Sequence, residues 1–256
     1  MKLIIFDLDG TLAESKQPIS PEMAVRLCEL LKRIKVAIVS GGAFSQFLKQ
    51  VVARLPVDAN LANLYLLPTS GAALYEFHPS HSLRVDSGGW DKIYEERLSE
   101  KESDTIAAAM RAAAEETGLI NFAEPAWGER IEYRGGQVTM SALGQEAPIV
   151  EKKAWDPDHT KRHALQAAIA ARLPNFSVGM GGATTIDVTK RDIDKAYGVR
   201  QLCKRLGIDE SESLYVGDEL TAGGNDEAVF KTSAETKSVK DPSETATLIK
   251  ELLADV

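Results

Sequence analysis

The chain has 256 residues, enough for one large domain or two small ones, and its 44% hydrophobic content is ample for a buried core. A net charge of -8 and a pI near 5.2 argue against a nucleic-acid backbone or an anionic membrane surface as the main partner. Cys28 and Cys203 stand far apart, outside any CxxC or Cys/His cluster, so two reduced, packed thiols are expected; no apolar run reaches the roughly 18 residues of a membrane span, and the cytoplasm is the expected compartment.

Leu3, Ile4, Ile5 and Phe6 form a continuous apolar run, as expected of a parallel strand buried on both faces, and the run closes on Asp7-Leu8-Asp9-Gly10-Thr11. After a polar loop, Ser20 caps a helix with Pro21 in its first turn, and the spacing of Val25, Leu27, Leu30, Leu31 and Ile34 carries that helix to about Arg33. Lys35 to Val39 reads as a second buried strand ending in Ser40-Gly41-Gly42. Helical spacing returns from Phe44 to Leu55, and Leu64 to Pro68 reads as a third strand before Thr69-Ser70-Gly71. Strands alternating with helices, with ligand-type residues at the strand ends, predict a doubly wound parallel sheet.

That rhythm breaks near Ser80. A long, charged, alanine-rich helix is expected from Glu95 to Thr117, then a hairpin of Glu129 to Arg134 and Gln137 to Leu143 around Gly135-Gly136. A second helix, about Asp158 to Arg172, precedes a strand pair, Phe176 to Met180 and Thr184 to Val188. The parallel pattern resumes with a helix from Ala196 to Arg205 that stops at Gly207, a strand from Ser213 to Val216 that closes on Gly217-Asp218, and a last helix from Ser243 to Leu253. The expected fold class is therefore α/β: a parallel core from 1–83 and 189–256, with an α+β module, 84–188, inserted between its halves.

Acids have no place inside a doubly buried strand, so Asp7 and Asp9 belong at its C-terminal end, where open α/β sheets keep their ligands. Side chains two apart on extended chain share a side, and both carboxylates can address one site. Their mutual repulsion raises one pKa unless a cation is present, and Mg²⁺ would relieve it while holding a phosphate. A carboxylate nucleophile beside an acid/base suits phosphoryl transfer through an aspartyl phosphate. The competing reading is an Asx-type turn in which Asp9-Gly10 only shapes the backbone.

Four elements in chain order, Asp7-Leu8-Asp9-Gly10-Thr11, Ser40-Gly41-Gly42, Asp194-Lys195, and Gly217-Asp218 with Gly223-Gly224-Asn225-Asp226, resemble the motifs of the haloacid dehalogenase superfamily of phosphotransferases. The resemblance implies that Asp7 attacks phosphorus, that Asp9 protonates the leaving oxygen and later activates the acceptor, and that Lys195 pairs with both Asp7 and the phosphate. It further implies Mg²⁺ held by Asp7, Asp218 and the Asp9 carbonyl, with Asn225 and Asp226 as candidates to back that ion from behind. Thr11, Lys16, Ser40, Gly41 and Gly42 are expected on the phosphate side.

An inserted α/β module at this place is similar to that of the eukaryotic-type phosphomannomutases, through Ile131 to Arg134, Ser141 to Gly144 and Gly181-Gly182-Ala183-Thr184-Thr185-Ile186-Asp187-Val188. On that resemblance Arg134 binds a second, non-reacting phosphate, and Thr185 and Asp187 contact the sugar. One departure matters: Gln145 stands where the family pattern has a further arginine. The leading expectation is Mg²⁺-dependent phosphoryl transfer on a hexose phosphate through phospho-Asp7, most like interconversion of mannose 6-phosphate and mannose 1-phosphate. A sugar-phosphate phosphohydrolase on the same scaffold is the close alternative, and a non-catalytic sugar-phosphate sensor the remote one. The expected partner is a phosphorylated sugar rather than nucleic acid or membrane, with a homodimer left open.

Overall fold

The structure, a computed structural model, describes residues 1–81 and 88–255. The chain divides into two compact units: Met1–Glu95 with Lys195–Ala222 and Asp226–Val256, and Glu96–Asp194 with Gly223–Asn225. The first domain boundary expected from sequence, between 83 and 84, lies outside the described residues. Among the described residues no helix is long and apolar enough to cross a membrane.

The first unit is an α/β sheet of seven described strands. β1 (Leu3–Asp7), β2 (Lys35–Val39), β3 (Leu64–Leu67), β10 (Ser213–Gly217) and β11 (Glu235–Ser238) run parallel, while β4 (Ala73–Phe77) and β5 (Trp90–Glu95) extend the sheet antiparallel, in the order β11-β10-β1-β2-β3-β4-β5. β1 sits between β10 and β2, which explains why all five of its residues are buried. Its alternate side chains enter two separate cores. Ile4 and Phe6 join Ile38, Leu66 and Val216 in the cluster that takes Met23, Leu27 and Leu31 of helix α1 (Pro21–Leu31) and Ile249 of helix α7 (Pro242–Asp255). Leu3 and Ile5 join Val39, Leu67 and Tyr215 against Val199, Leu202 and Cys203 of helix α6 (Lys195–Leu206). Helices thus cover both faces, as a doubly wound sheet requires.

Local chemistry sets the element ends. α1 starts where the Ser20 hydroxyl accepts from Met23 N at 3.1 Å, with Pro21 at its first position. The helix expected over 44–55 is shorter: α2 (Phe44–Gln50) gives way to a 3₁₀ turn, Val52–Arg54, at the β-branched pair Val51-Val52. Residues 90–95, placed by periodicity in the inserted module or its first helix, instead form β5 and pair with β4.

The second unit holds a four-stranded antiparallel sheet, β6 (Ile131–Tyr133), β7 (Gln137–Ser141), β9 (Thr185–Lys190) and β8 (Phe176–Met180), with helices α3 (Glu100–Thr117), α4 (Ile149–Trp155) and α5 (Thr160–Arg172). α3 begins at Glu100 rather than near Glu95, because Ser99 and Glu102 form a reciprocal capping box there. Val138, Met140, Ile186 and Val188 pack with Ile106, Met110, Leu165 and Ile169 of α3 and α5. Period two then commits Gln137, Thr139, Ser141, Thr185, Asp187 and Thr189 to the opposite face, which is polar throughout.

Candidate active site

β1 delivers Asp7 to the C-terminal edge of the core sheet, where its side chain is 1% exposed. Lys195, the first residue of α6, lies 188 positions away in sequence and donates from Nζ to Asp7 Oδ1 at 2.6 Å. The same ammonium donates to Asp226 Oδ1 at 2.7 Å. Gly198, one turn further along α6, lets the helix pass close to the chain that follows β3: a Cβ there would lie 2.9 Å from the Gly71 Cα. Burial works against the ammonium, but Asp226 and Asp7 together hold the Lys195 pKa above its ordinary value. Burial pushes the Asp7 carboxyl well above the usual carboxylate range; the charges of Asp226 and Asp218 push the same way, and Lys195 opposes them.

Asp226 is itself fully buried and receives two more donors. The Tyr215 hydroxyl, from β10, reaches Asp226 Oδ1 at 2.5 Å, and Glu219 N reaches Oδ2 at 3.3 Å. Asp7, Asp218 and Asp226 each place a carboxylate oxygen within 4.8 Å of the others. Asp7 Oδ2 is buried and, among the described residues, has no hydrogen-bond partner. Asp218 follows β10; burial first, and then the Asp226 charge, push its pKa up to about 6. A buried cluster of like charges with an unsatisfied anionic oxygen and an all-oxygen donor set fits a divalent cation. Gly10 shapes the same spot: its φ of +95° is left-handed, and a Cβ would fall 2.2 Å from Asp218 Oδ2.

The other residues expected on the core side have these places. Asp9 is outside the three-carboxylate cluster; its Oδ1 accepts from Lys16 N at 2.6 Å, with Lys16 in a left-handed conformation at φ 58°. Burial raises the Asp9 pKa, against the Lys16 N–H and the charges of Lys16 and Lys195. The Thr11 hydroxyl, fully buried, donates to Asp218 Oδ1 at 3.1 Å. Ser40 closes β2, and its Oγ accepts from Gly42 N at 3.2 Å, while Ala43 N donates to Gln46 Oε1 at 2.8 Å. The Gly42 and Ala43 N–H groups beside Gly41 are therefore engaged by side chains, one from Ser40 and one from Gln46 in the first turn of α2. That loop is clamped by the end of β3: Thr69 N donates to Gly42 O at 3.0 Å and Ser70 N to Ser40 O at 2.9 Å. Thr69 and Ser70 both hold positive φ, 53° and 57°, a strain that non-glycine residues rarely carry.

In the second unit Arg134 follows β6, and its Nη2 donates to Glu132 Oε2 at 2.6 Å and to Gln145 Oε1 at 3.1 Å. Asp187 Oδ1 accepts from the Thr139 hydroxyl at 2.7 Å, which in turn accepts from Gln137 Nε2 at 2.8 Å. Thr185 Oγ1 donates to Gly182 O at 3.3 Å. Gly181 faces this pair so closely that a Cβ would lie 2.2 Å from Thr185 Oγ1 and 2.7 Å from Asp187 Oδ2. Arg162, buried and paired with Asp156 at 2.9 Å, holds the Gly181 and Gly182 carbonyls from behind. Asn225 falls with this second unit, whereas Asp226 belongs to the first.

Sequence reasoning passed over Tyr215, Gln50, Glu132 and Arg162. Tyr215 falls within the strand expected over 213–216, and Gln50, whose side chain helps to lower the Asp9 pKa, within the helix expected over 44–55. Glu132, as an alternating strand residue beside Arg134, was the detectable one.

A model of the eukaryotic phosphomannomutase family matches residues 23–255. The chain belongs to that family. It is correspondingly a member of the haloacid dehalogenase superfamily and carries that superfamily's phosphotransferase architecture, with the acidic cluster as its candidate active site. Among family relatives, a probable phosphomannomutase of Caenorhabditis elegans is 24% identical over 99% of this chain and 96% of that protein. The phosphomannomutase of Saccharomyces cerevisiae is 24% identical over 98% of this chain and 93% of its own length. An N-terminally truncated, IMP-bound IMP-nucleotidase of Plasmodium falciparum superposes with a TM-score of 0.69 at 16% identity, covering 100% of this chain and 68% of that one, and so shares the fold.

Proposed function

We propose that the chain is a Mg²⁺-dependent phosphotransferase acting on a hexose phosphate through phospho-Asp7, and that it interconverts mannose 6-phosphate and mannose 1-phosphate. The observation that carries this reading is the buried Lys195 Nζ on Asp7 Oδ1 at 2.6 Å, with Asp7 Oδ2 left without a hydrogen bond among the described residues. An Asp7 oxygen forms the bond to phosphorus as the bond from phosphorus to the sugar oxygen breaks, and Asp9 gives its proton to that departing oxygen. The raised pKa of Asp9 suits it to hold the proton until then. In the second half Asp9 takes the proton of the attacking hydroxyl, and the Asp7–phosphorus bond breaks. Lys195 keeps two anions from repelling as they meet, which is most of what phosphoryl transfer asks of a protein. Asp7, Asp218 and the Asp9 carbonyl would hold Mg²⁺, which when bound supplies further charge neutralisation. Ser40, Gly41, Gly42, Thr11 and Lys16 are assigned to the phosphate side, and Arg134, Thr185 and Asp187, in a cap formed by the inserted unit, to the sugar and its distal phosphate. The family model and the relatives named phosphomannomutase support mannose phosphates as the substrates.

A phosphohydrolase, in which water discharges phospho-Asp7, is favoured by one observation. Arg134 is already engaged by Glu132 and Gln145, and Gln145 replaces a cation with an amide. Incubation with Mg²⁺ and mannose 1-phosphate, with and without a hexose bisphosphate primer, followed by phosphorus NMR, separates the two. Primer-dependent isomerisation is expected; phosphate release equal to substrate loss would overturn the mutase. Asp7→Asn is expected to abolish either activity, and retained turnover would refute the nucleophile.

A further inference from the structure

The Tyr215 hydroxyl is a buried polar group that the chemistry above does not use. Tyr215 occupies an apolar slot between β1 and α6, among Leu3, Ile5, Val199 and Leu202, where a phenylalanine ring would fill the same space. A buried phenol requires an acceptor, and this one donates to Asp226 Oδ1 at 2.5 Å. That oxygen also takes Lys195 Nζ at 2.7 Å, so both of its lone-pair directions are in use. The other oxygen accepts from Glu219 N at 3.3 Å. Gly217, two positions along β10, makes room for the arrangement: a Cβ there would lie 2.3 Å from Asp226 Oδ2 and 3.1 Å from Tyr215 Cε1.

We propose that Tyr215 is a positioning residue whose phenol pins Asp226 as the fixed counter-ion of Lys195. So held, Asp226 is committed through Oδ1 to Lys195, and the cation falls chiefly to Asp7 and Asp218. Lys195, drawn by a carboxylate that is already half satisfied, stays on Asp7 Oδ1. Without the phenol Asp226 has a lone pair to spend on either the ammonium or the cation, and both movements degrade the alignment of Asp7. The kinetic part of this inference rests on Asp7 as the nucleophile; the cation-binding part does not.

The test is Tyr215→Phe in the full chain, which deletes one oxygen and keeps the ring. Calorimetric titration with Mg²⁺ alone is expected to show binding at least about threefold tighter, because a third carboxylate is released to the ion. Turnover of the sugar phosphate used by the wild type is expected to fall about tenfold in kcat, with KM changed by less than about threefold. If Tyr215 acts through Asp226, the double variant Tyr215→Phe/Asp226→Asn turns over no more slowly than Asp226→Asn alone. Mg²⁺ affinity or kcat within about twofold of wild type, whatever the melting temperature does, would overturn the assignment, and so would losses that multiply in the double variant. If Asp7→Asn retains turnover, the nucleophile reading fails, and the Mg²⁺ titration of Tyr215→Phe still decides the role of the phenol.

Discussion

Replacing Lys195 by methionine removes a charge while keeping most of the side-chain volume, and the structure sets the size of the effect. Lys195 is 2% exposed and pairs at 2.6 and 2.7 Å with two carboxylates that are themselves 1% and 0% exposed. Removing one partner from a buried ionic cluster costs about 3–5 kcal/mol, because the remaining charges have neither water nor a counter-ion. For a chain of this length that corresponds to a drop of roughly 6–20 °C in melting temperature. The loss also depends on pH. Asp7 already has a folded pKa above its unfolded one, so the folded state binds the extra proton and stability falls as pH rises through that range. Without the ammonium that opposes it, the Asp7 pKa rises further. The variant's deficit is therefore larger at about pH 8 than at about pH 5.5, because the raised Asp7 pKa lets more of the carboxyl be protonated as pH falls, which removes a stranded charge. Urea denaturation of wild type and variant without divalent ions, at both pH values, measures this. A deficit below about 1 kcal/mol at the higher pH, or an equal deficit at both, would show that Lys195 is not the counter-ion of Asp7.

Gly10→Ala should drive the Asp218 carboxylate from its place, since the new Cβ would sit 2.2 Å from Oδ2 at a φ of +95°. Mg²⁺ binding by calorimetry is expected to weaken at least about tenfold, with about 1–2 kcal/mol of backbone strain; unchanged affinity would refute the steric argument. Because burial and the Asp226 charge push the Asp218 pKa up to about 6, proton and cation compete for it. Apparent Mg²⁺ affinity should rise with pH by up to about tenfold per unit below pH 6, and a flat profile across that range would remove Asp218 from the ligand set. Ser99→Ala breaks the capping box of α3 and should cost about 1 kcal/mol in chemical denaturation, and no measurable loss would refute the contribution of the cap.

The elements that sequence could reveal are those whose own burial dictates their composition. β1, β2, β3 and β10 are covered on both faces, and their apolar runs announce them. β11 is Glu-Thr-Lys-Ser, largely exposed, and is a strand only because β10 offers it a ladder. β5 mixes Trp90 and Ile93 with Asp91 and Lys92, a composition that fits an edge strand and announces no core. The site follows the same logic. Asp7 and Asp218 stand at strand ends and Lys195 at a helix start, so position made them candidates, and the folded chain brings Lys195 onto Asp7. Tyr215 was hidden because its ring satisfies the apolar pattern of β10, and only the fold shows where its hydroxyl ends. The engagement of Arg134 by Glu132 and Gln145 was hidden for a similar reason: each residue alternates correctly along its strand or loop, and pattern alone does not report pairing.

The central place of β1 has a consequence for how the protein is made. During synthesis β1 meets β2 within a few dozen residues, but its other neighbour, β10, begins only at Ser213. Until then one edge of Leu3–Phe6 is open, and an open apolar strand edge is a template for pairing with another nascent chain. The intervening residues, 96–194, carry a core of their own and can collapse before the sheet is complete, shortening the effective loop that β10 has to close. A message truncated anywhere before Ser213 would yield a chain with its most adhesive edge exposed. Chains ended between β2 and Ser213 should therefore be insoluble rather than merely inactive, which fractionation of truncated chains measures.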